Sequence, residues 1–296
     1  MSDATLDTLA APVPWWRSRT MQRFVGNRLA MLGLVLITAL TLACFVGPWF
    51  LPFDEFYIDL RARFAPPMTG AHIFGTDPLG RDLAARLFHA GQVSLLVGFA
   101  AMLMSTVLGT VVGVVAGYRG GWLGAVLMRI VDAFLSFPSI FLLLVLAALV
   151  RPSPLMITII IAVTSWMEVA RLVEAETRTL RDQEFVMAAR MLGLPAARIM
   201  FRELLPNVVG VVIVAATLTV ARAILLEAYI SYLGYGIQQP LPSWGNMLNS
   251  AQQYLADAPW LAVVPGVAIT LAVTAFNFIG NGLRDALDVR SDMVGA

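Results

Sequence analysis

Long apolar runs separated by shorter polar stretches dominate this chain. A helix needs roughly 20 mostly apolar residues to cross the hydrocarbon core of a membrane, and six runs approach or exceed that length. These runs are 29–50, 93–117, 122–150, 156–172, 208–233 and 260–280. Glycine and proline inside them are compatible with spanning helices, because neighbouring helices can satisfy the freed backbone groups. The pattern therefore predicts an all-α polytopic membrane protein with six transmembrane helices.

The composition supports a membrane setting. Of the 296 residues, 59% are hydrophobic and 13% are charged, and the mean hydropathy is +0.79, which exceeds what a soluble domain carries. The single cysteine, Cys44, lies in the first apolar run, so no disulfide within the chain is possible. The formal net charge of +1 argues against a nucleic-acid partner.

The arginines indicate the orientation of the six helices. Four of them precede the first run and six lie from Arg171, at the end of the fourth run, to Arg202, before the fifth, whereas residues 234–259 carry no basic residue. Short loops rich in basic residues stay on the cytoplasmic side, so we expect both termini in the cytoplasm. The loop after the first run carries four arginines balanced by five acidic residues. We place it outside, because the arginine content of the other loops indicates that orientation. The first run is too long for a cleaved signal peptide and should remain as an anchor.

These predictions divide the chain into five parts, without an internal repeat or a linker between membrane domains. The parts are a cytoplasmic tail (1–28), a first transmembrane helix (29–50), an outer segment (51–92), a core of five further helices (93–281) and a second cytoplasmic tail (282–296). The core includes a cytoplasmic loop at 173–207. Residues 1–14 are small, polar and proline-containing, so we expect them to be disordered.

A polar, arginine-rich stretch at 171–207 lies between two strongly apolar runs. Apolar residues recur at helical spacing from Glu184 to Leu192, which predicts a short helix lying across the loop. Gly193 suits a left-handed cap after this helix, and Pro195 suits the first turn of a second helix, which we expect to end at Pro206. One interpretation is a docking surface for a partner, and the alternative is an amphipathic loop resting on lipid headgroups.

The same stretch resembles the coupling motif of ABC importer permeases, which reads Glu-Ala-Ala, three residues, Gly, nine residues, Ile, one residue, Leu-Pro. The spacing matches in full, but Met187 replaces the glutamate and Glu203 replaces the isoleucine. Glu184, one helical turn earlier, could stand in for the missing acid. The resemblance implies that this helix sits in a groove of a cytoplasmic ATPase. The residues it implicates are Glu184, Met187, Ala188, Ala189, Gly193, Arg198, Arg202, Leu205 and Pro206.

Three further stretches resemble the dipeptide, oligopeptide and nickel branch of these permeases, and specifically its second, C-type subunit. They are 72–86, 227–248 and 281–288. The resemblance implies the type I importer (MetI-like) fold, location in the bacterial inner membrane, and a heterodimer with a second permease. It further implies two cytoplasmic ATPases that bind ATP and Mg, and an extracytoplasmic binding protein that delivers peptides or similar small solutes. No cofactor is expected on this chain, and the cargo stays open among dipeptides, oligopeptides, nickel chelates, glutathione and opines.

Two sets of polar or aromatic residues are candidates for contact with cargo or partners. Asp77, Arg81 and Asp82 in the outer segment, together with Trp244, either face the binding protein or form a rigid turn and an interfacial anchor. Charges inside apolar runs are costly and usually face a bundle interior or water. Arg222 and Glu227 are therefore candidates for the translocation path or the permease interface, with structural bracing as the alternative. Arg129 and Asp132 are spaced to pair on one helix.

Several chemistries lack the residues they need. The chain contains no lysine, so it has no G-x-x-x-x-G-K-[ST] loop with which to bind ATP. Its two histidines, His72 and His89, have no metal-ligand companions in the sequence, and no nucleophile with a base and an orienting group stands out. We expect a transporter subunit and no enzyme. The competing function is an ion- or proton-coupled secondary transporter or channel, which would usually show paired inverted repeats and work without an ATPase.

Overall fold

The computed structural model describes residues 19–287 as a bundle of helices without a β-strand in that part of the chain. The predicted disorder of 1–14 and the end of the 281–288 motif lie outside the described residues. The α-helices are α1 Arg19–Gly26, α2 Arg28–Val46, α3 Leu83–Arg119, α4 Gly121–Leu135, α5 Ser139–Leu149, α6 Pro154–Arg181, α7 Glu184–Met191, α8 Ala196–Arg198, α9 Leu205–Tyr232, α10 Trp244–Ala251 and α11 Trp260–Leu287. A π-helix, Ile199–Leu204, joins α8 to α9.

Between residues 19 and 287, five continuous helical segments are long and apolar enough to cross a membrane. They are Arg28–Phe50, Leu83–Arg119, Pro154–Arg181, Ala196–Tyr232 and Trp260–Leu287. The third predicted span, 122–150, is wrong as a single helix, because α4 and α5 meet at an angle of 84°. Pro138 follows Phe137 at this break, and proline disfavours helical backbone at the residue before it. The count of six spans therefore holds only if the bent pair crosses the membrane as one.

Helix α3 begins at Leu83, ten residues before the predicted start of the second span at Val93. The Asp82 side chain accepts a hydrogen bond from the Ala85 backbone N–H at 2.8 Å and caps this end. The first turns of α3 contain polar side chains, including the buried Arg86, which ended the apolar run in the sequence. Burial of those side chains against the outer segment permits the longer helix.

The polar stretch 171–207 is more helical than expected. Helix α6 continues to Arg181, so only Asp182 and Gln183 separate it from α7. The predicted end of the second short helix at Pro206 is also wrong, because the chain passes from α8 through the π-helix into α9 without a break. Pro206 lies at the junction of the π-helix with α9, where it has no backbone N–H to donate to the preceding turn. This continuity ties the polar stretch directly to a spanning helix.

A stripe of glycines brings α3 and α6 into close backbone contact. Gly109, Gly113 and Gly117 occur every four residues on α3, and a Cβ atom at each would lie only 2.6–2.8 Å from a backbone oxygen of α6. Small residues at this spacing allow helix backbones to approach in a membrane. The α3–α6 pair is therefore the central packing unit, with α9 and α11 beside it and α2 against α11.

Candidate functional site

Helix α7 is held against the bundle by one side of its surface. Val186 and Ala189 are buried on that side, in a cluster with Ile199 and Leu204 of the π-helix. Their spacing of three residues places them on one helix face. The two alanines of the coupling motif therefore lie on different sides of α7, since Ala188 is exposed while Ala189 packs inward. The sequence analysis missed Val186 and Leu204 as anchors, although the three-residue spacing of 186 and 189 was the available signal.

The opposite side of α7 and its tip face away from this chain. Glu184 and Met187 are exposed there, and the side chains of Met191 and Leu192 are 88% and 79% exposed. Large apolar side chains at such exposure form a tip that a partner could cover. Arg198 and Arg202 are exposed farther along, while Leu205 is half-buried and Pro206 is exposed at the start of α9.

Gly193 ends α7 as the sequence predicted. Its φ is +71°, in the left-handed region that favours glycine. The Gly193 N–H donates to the Arg190 carbonyl at 3.0 Å and the Leu194 N–H donates to the Ala189 carbonyl at 3.2 Å. These two bonds form a Schellman cap. No heavy atom lies within 4 Å of a Cβ built on Gly193, so the turn requires glycine for its backbone conformation.

Arginines connect α7 and the end of α6 to the end of α3. The Arg190 guanidinium lies 4.9 Å from the centre of the Tyr118 ring, a cation–π distance. Arg181 donates through Nη1 to the Gly117 carbonyl at 3.4 Å and through Nε to Asp182 at 3.1 Å. The hydrogen bond from Arg181 lowers the pKa of the Asp182 carboxyl. Arg190 therefore holds α7 against α3, and Arg181 holds the end of α6 against α3.

Two ion pairs lie on the exposed surface of the spanning helices. Arg222 of α9 pairs with Glu168 of α6, with side chains 42% and 51% exposed. Asp132 of α4 pairs with Arg171 of α6, with side chains 40% and 51% exposed. The predicted pairing of Asp132 with Arg129 on one helix is wrong, since Asp132 pairs with Arg171 on the neighbouring helix.

Glu168 and Arg171 are three residues apart and therefore share one face of α6. Glu168 was not predicted as a site residue, because it lies next to the polar stretch 171–207 and looks like the beginning of that stretch in the sequence. Exposed charges are too costly to face hydrocarbon. This face must therefore meet water or another protein.

Glu227 has a different environment from Arg222. Its side chain is fully buried and accepts hydrogen bonds from the hydroxyls of Ser94 on α3 and Ser231 on α9, both at 2.8 Å. The Ser94 hydroxyl in turn accepts from the Trp244 backbone N–H at 3.2 Å. Glu227 therefore joins α9, α3 and α10 inside this chain, which is the structural bracing named above as the alternative. Exposure separates it from Arg222.

The outer candidates Asp77, Arg81, Asp82 and Trp244 are all buried. The Arg81 Nε donates to Asp77 Oδ2 at 2.6 Å, and Asp82 Oδ2 lies 2.8 Å from His72 Nδ1. Trp244 donates through its indole N–H to the Leu87 carbonyl at 3.1 Å. These contacts hold the outer segment and α10 against the start of α3. Contact of these four residues with a binding protein stays a prediction.

Within residues 19–287, no group of three or more histidine, cysteine, aspartate or glutamate side chains is arranged to hold a metal ion. His72 and His89 instead lie beside Asp82 and Glu55, at 2.8 Å and 3.4 Å. The candidate sites are therefore sought among exposed apolar and charged side chains. Two regions carry such side chains: the tip of α7 at one end of the bundle and the charged face along α4, α6 and α9.

Comparisons with known proteins agree along nearly the whole chain. Residues 109–292 match the family described as binding-protein-dependent transport system inner membrane component, and residues 14–67 match the N-terminal TM domain of oligopeptide transport permease C. The chain is 42% identical to the oligopeptide transport system permease protein OppC of Salmonella typhimurium, over 90% of this chain and 89% of that protein. It is 40% identical to OppC of Escherichia coli K12, with the same coverage.

One solved structure shares the fold. A chain of the MetNI methionine ABC transporter, in an inward-facing conformation, superposes with a TM-score of 0.56 at 22% sequence identity. The match covers 68% of this chain and 96% of that chain. At this identity the likeness shows the fold alone, and it confirms the predicted fold class. The cytoplasmic location of the termini stays a prediction.

Proposed function

The chain belongs to the binding-protein-dependent transport system inner membrane components, and from that premise we propose how it acts as the C-type permease subunit of a peptide ABC importer. It is a multi-pass protein of the inner membrane. Its relatives over 90% of its length are named for oligopeptide transport, which supports peptides as the cargo. Dipeptides and longer peptides both fit this assignment.

The charged face on α4, α6 and α9 is the observation that carries the proposal. Its two ion pairs lie on the outside of this chain. The Arg222–Glu168 pair joins two segments long enough to span the bilayer, and the Asp132–Arg171 pair joins one of these segments to α4. A second permease packed against this face would remove the charges from lipid and enclose a polar route between the subunits. Arg222 and Glu168 are then the residues on this chain that line the path or its interface.

Movement would reach this face from α7. We infer that a cytoplasmic ATPase receives the exposed tip at Met191 and Leu192, together with Glu184 and Met187. The buried contacts of Val186 and Ala189 with the π-helix would pass a displacement of α7 into α9. From Leu205 to Arg222 is about 25 Å along a continuous helix. A rigid helix of this length can couple the two regions without an intervening hinge.

The energy source in this proposal lies on other subunits. The chain lacks a phosphate-binding loop and any lysine, which supports ATP and Mg being held by two ATPase partners. A binding protein delivers the peptide at the end of the bundle opposite α7. The competing function, a secondary transporter or channel, would need this chain to move solute alone.

Omission of single subunits tests the proposed function. Proteoliposomes would contain this chain, a second permease, two ATPases and the binding protein, and the uptake of a radiolabelled tripeptide would be measured with ATP. We expect uptake from the full set and none when either permease or the ATPases are left out. Uptake by liposomes containing this chain alone would contradict the proposal.

A further inference from the structure

A pocket of about 380 Å³ lies at the end of the bundle opposite α7. It is bounded on one side by the outer turn and the start of α3, and on the other by α10 and the turn after it. Its lining includes six polar side chains that can contact a charged ligand: Asp77, Arg81, Arg86, Asn249, Gln253 and Tyr254. We call this the outer pocket. Helix α3 begins at the pocket and ends beside α7, so the two regions are about 55 Å apart along it.

Arg86 is the unusual member of this lining. Its side chain is 97% buried, yet its Nη1 atom has no hydrogen-bond partner among the described residues. Leaving a buried charged donor unpaired is costly. The proteins that retain such groups often do so for a ligand or an ordered water.

The nearest acids are already engaged. Asp77 Oδ2 lies 2.6 Å from Arg81 Nε and only 3.8 Å from Arg86 Nε, so one carboxylate serves two guanidinium groups. The next acid, Glu55, lies 3.4 Å from His89 Nε2. Among the charged side chains that line the pocket, Arg81 and Arg86 outnumber Asp77 by one, so the lining carries one net positive charge. Glu55 lies outside the lining, although its charge also acts on Arg86.

The rest of the lining suits a small anion with hydrogen-bonding neighbours. Asn249 and Gln253 contribute carboxamides and Tyr254 contributes a hydroxyl, which can donate to oxygen or accept from an amide. A carboxylate presents two acceptor oxygens and pairs well with the planar fork of a guanidinium. The volume is about that of a dozen water molecules, which is enough for a carboxylate and the residue that bears it.

We propose that the outer pocket binds the carboxylate group of a small ligand, with Arg86 as its charge partner. The carboxylate can be the free C-terminus of a peptide or a free carboxylate ion. Only the peptide source rests on the proposed function, because the chemistry of the pocket does not depend on what the protein transports.

Cysteine labelling measures the charge of the pocket in the assembled protein. Gln253 lines the pocket and Gln252 does not, although both are exposed neighbours on one turn. Gln253→Cys and Gln252→Cys would be made in right-side-out membrane vesicles that contain the full set of subunits. The only native cysteine, Cys44, is 1% exposed. Mass gain of the purified chain reports labelling by an anionic and a cationic methanethiosulfonate.

The proposal predicts that the anionic reagent is favoured at position 253. The ratio of anionic to cationic labelling rates should be about tenfold higher at 253 than at 252, as expected for one unpaired charge a few ångströms away. Equal ratios at the two positions would overturn the proposal. Arg86→Gln should remove the preference and Arg86→Lys should keep it. If Arg86→Gln does not accumulate in membranes, the comparison of labelling at 253 with labelling at 252 still tests whether the pocket favours anions.

Protection from labelling identifies the source of the carboxylate. Trialanine, trialanine amide and acetate would each be added before the anionic reagent. Slower labelling at 253 with trialanine or acetate, but not with trialanine amide, supports a carboxylate site. If trialanine protects position 253 at a lower concentration than acetate does, the carboxylate is that of a peptide terminus. If acetate protects and trialanine does not, the pocket binds a free carboxylate ion, and peptide transport is then tested by the uptake assay alone. Equal protection by trialanine and its amide, or protection by none of the three, would overturn the proposal.

Discussion

At the scale of single residues, the polar side chains of the spanning helices differ in exposure. Arg222 and Glu168 pair on the outside of the chain, while Glu227 is enclosed by two serines. Gly193 supplies a left-handed turn at the end of α7. Two predictions follow at this scale, one for the turn at Gly193 and one for the Arg222–Glu168 ion pair.

Gly193→Val should separate ATP hydrolysis from transport. A β-branched residue at positive φ is strained by about 1–2 kcal/mol, which would displace the tip of α7. Asparagine tolerates this backbone conformation better, so Gly193→Asn should retain more coupling. The measurement is peptide uptake per ATP hydrolysed in proteoliposomes, and we expect at least a severalfold fall for valine.

Gly234→Val is the matched control for this strain. Gly234 also has a positive φ, +86°, and no atom within 4 Å of a built Cβ, but it lies after α9 at the other end of the bundle. An equal loss of coupling in Gly193→Val and Gly234→Val would show that strain alone, and not the position of α7, causes the effect.

Neutralising one residue of the Arg222–Glu168 ion pair should impair uptake more than swapping the arginine and the glutamate between the two positions. Arg222→Gln leaves Glu168 unpaired on a spanning helix, and Glu168→Gln leaves Arg222 unpaired. We expect each to reduce ATP-driven uptake at least severalfold. The double variant Arg222→Glu with Glu168→Arg keeps a pair and should recover part of the rate. Unchanged uptake in both single variants would exclude a role for this pair.

The sequence shows which polar residues lie within apolar runs, but it does not show whether each of them faces the interior or the outside of the bundle. Arg222 and Glu227 lie five residues apart in one apolar run, and both were equal candidates for the path. Their difference depends on Ser94, which is 133 residues from Glu227 in the chain. Trp244 is likewise buried through a bond to Leu87, 157 residues away. Local periodicity contains no information on contacts at such separation.

At the scale of elements, α7 packs on the π-helix through Val186 and Ala189, and α3 packs on α6 through a stripe of glycines. The short helix α7 was predictable because Gly193 and the recurrence of apolar residues are local signals. The extension of α3 to Leu83 was not, because it depends on burial of polar side chains. The break between α4 and α5 has a local signal in Pro138, but a proline alone does not distinguish a kinked spanning helix from an 84° bend. The continuity of α9 with the polar stretch was hidden by Pro206.

Leu192→Asp should weaken attachment of the ATPase without unfolding the chain. Leu192 is 79% exposed at the tip of α7, so the substitution does not remove buried contacts. An acid there would oppose burial beneath a partner. We expect a severalfold lower yield of ATPase subunits that co-purify in mild detergent. Leu255→Asp, also at an exposed leucine but at the other end of the bundle, should give the unsubstituted yield, and equal yields from both variants would contradict the docking surface.

Gly113→Ala should destabilise the central helix pair. A Cβ at this position would lie 2.7 Å from the Ala170 backbone oxygen, so α3 and α6 must move apart, at a cost of about 1–3 kcal/mol. Gly266→Ala on α11 is the matched control, because no atom lies within 4 Å of its built Cβ. The midpoint of thermal unfolding in detergent should fall for Gly113→Ala only. Equal midpoints in the two variants would mean that the close approach is not required.

At the scale of the whole molecule, the protein is one part of an importer. Its fold matches that of a solved ABC transporter chain and its sequence matches oligopeptide permeases along 90% of its length. The six apolar runs and the coupling motif predicted this class from the sequence. The cargo could not be predicted, because the charged face on α4, α6 and α9 is only one wall of a route that a second permease would complete.

The driving force for peptide uptake tests the central claim most directly. Proteoliposomes with the full set of subunits would be supplied with ATP while an ionophore removes every ion gradient, and the same liposomes would be given a proton gradient without ATP. The account predicts tripeptide accumulation in the first condition and none in the second. Accumulation driven by the proton gradient alone would contradict it and favour a secondary transporter.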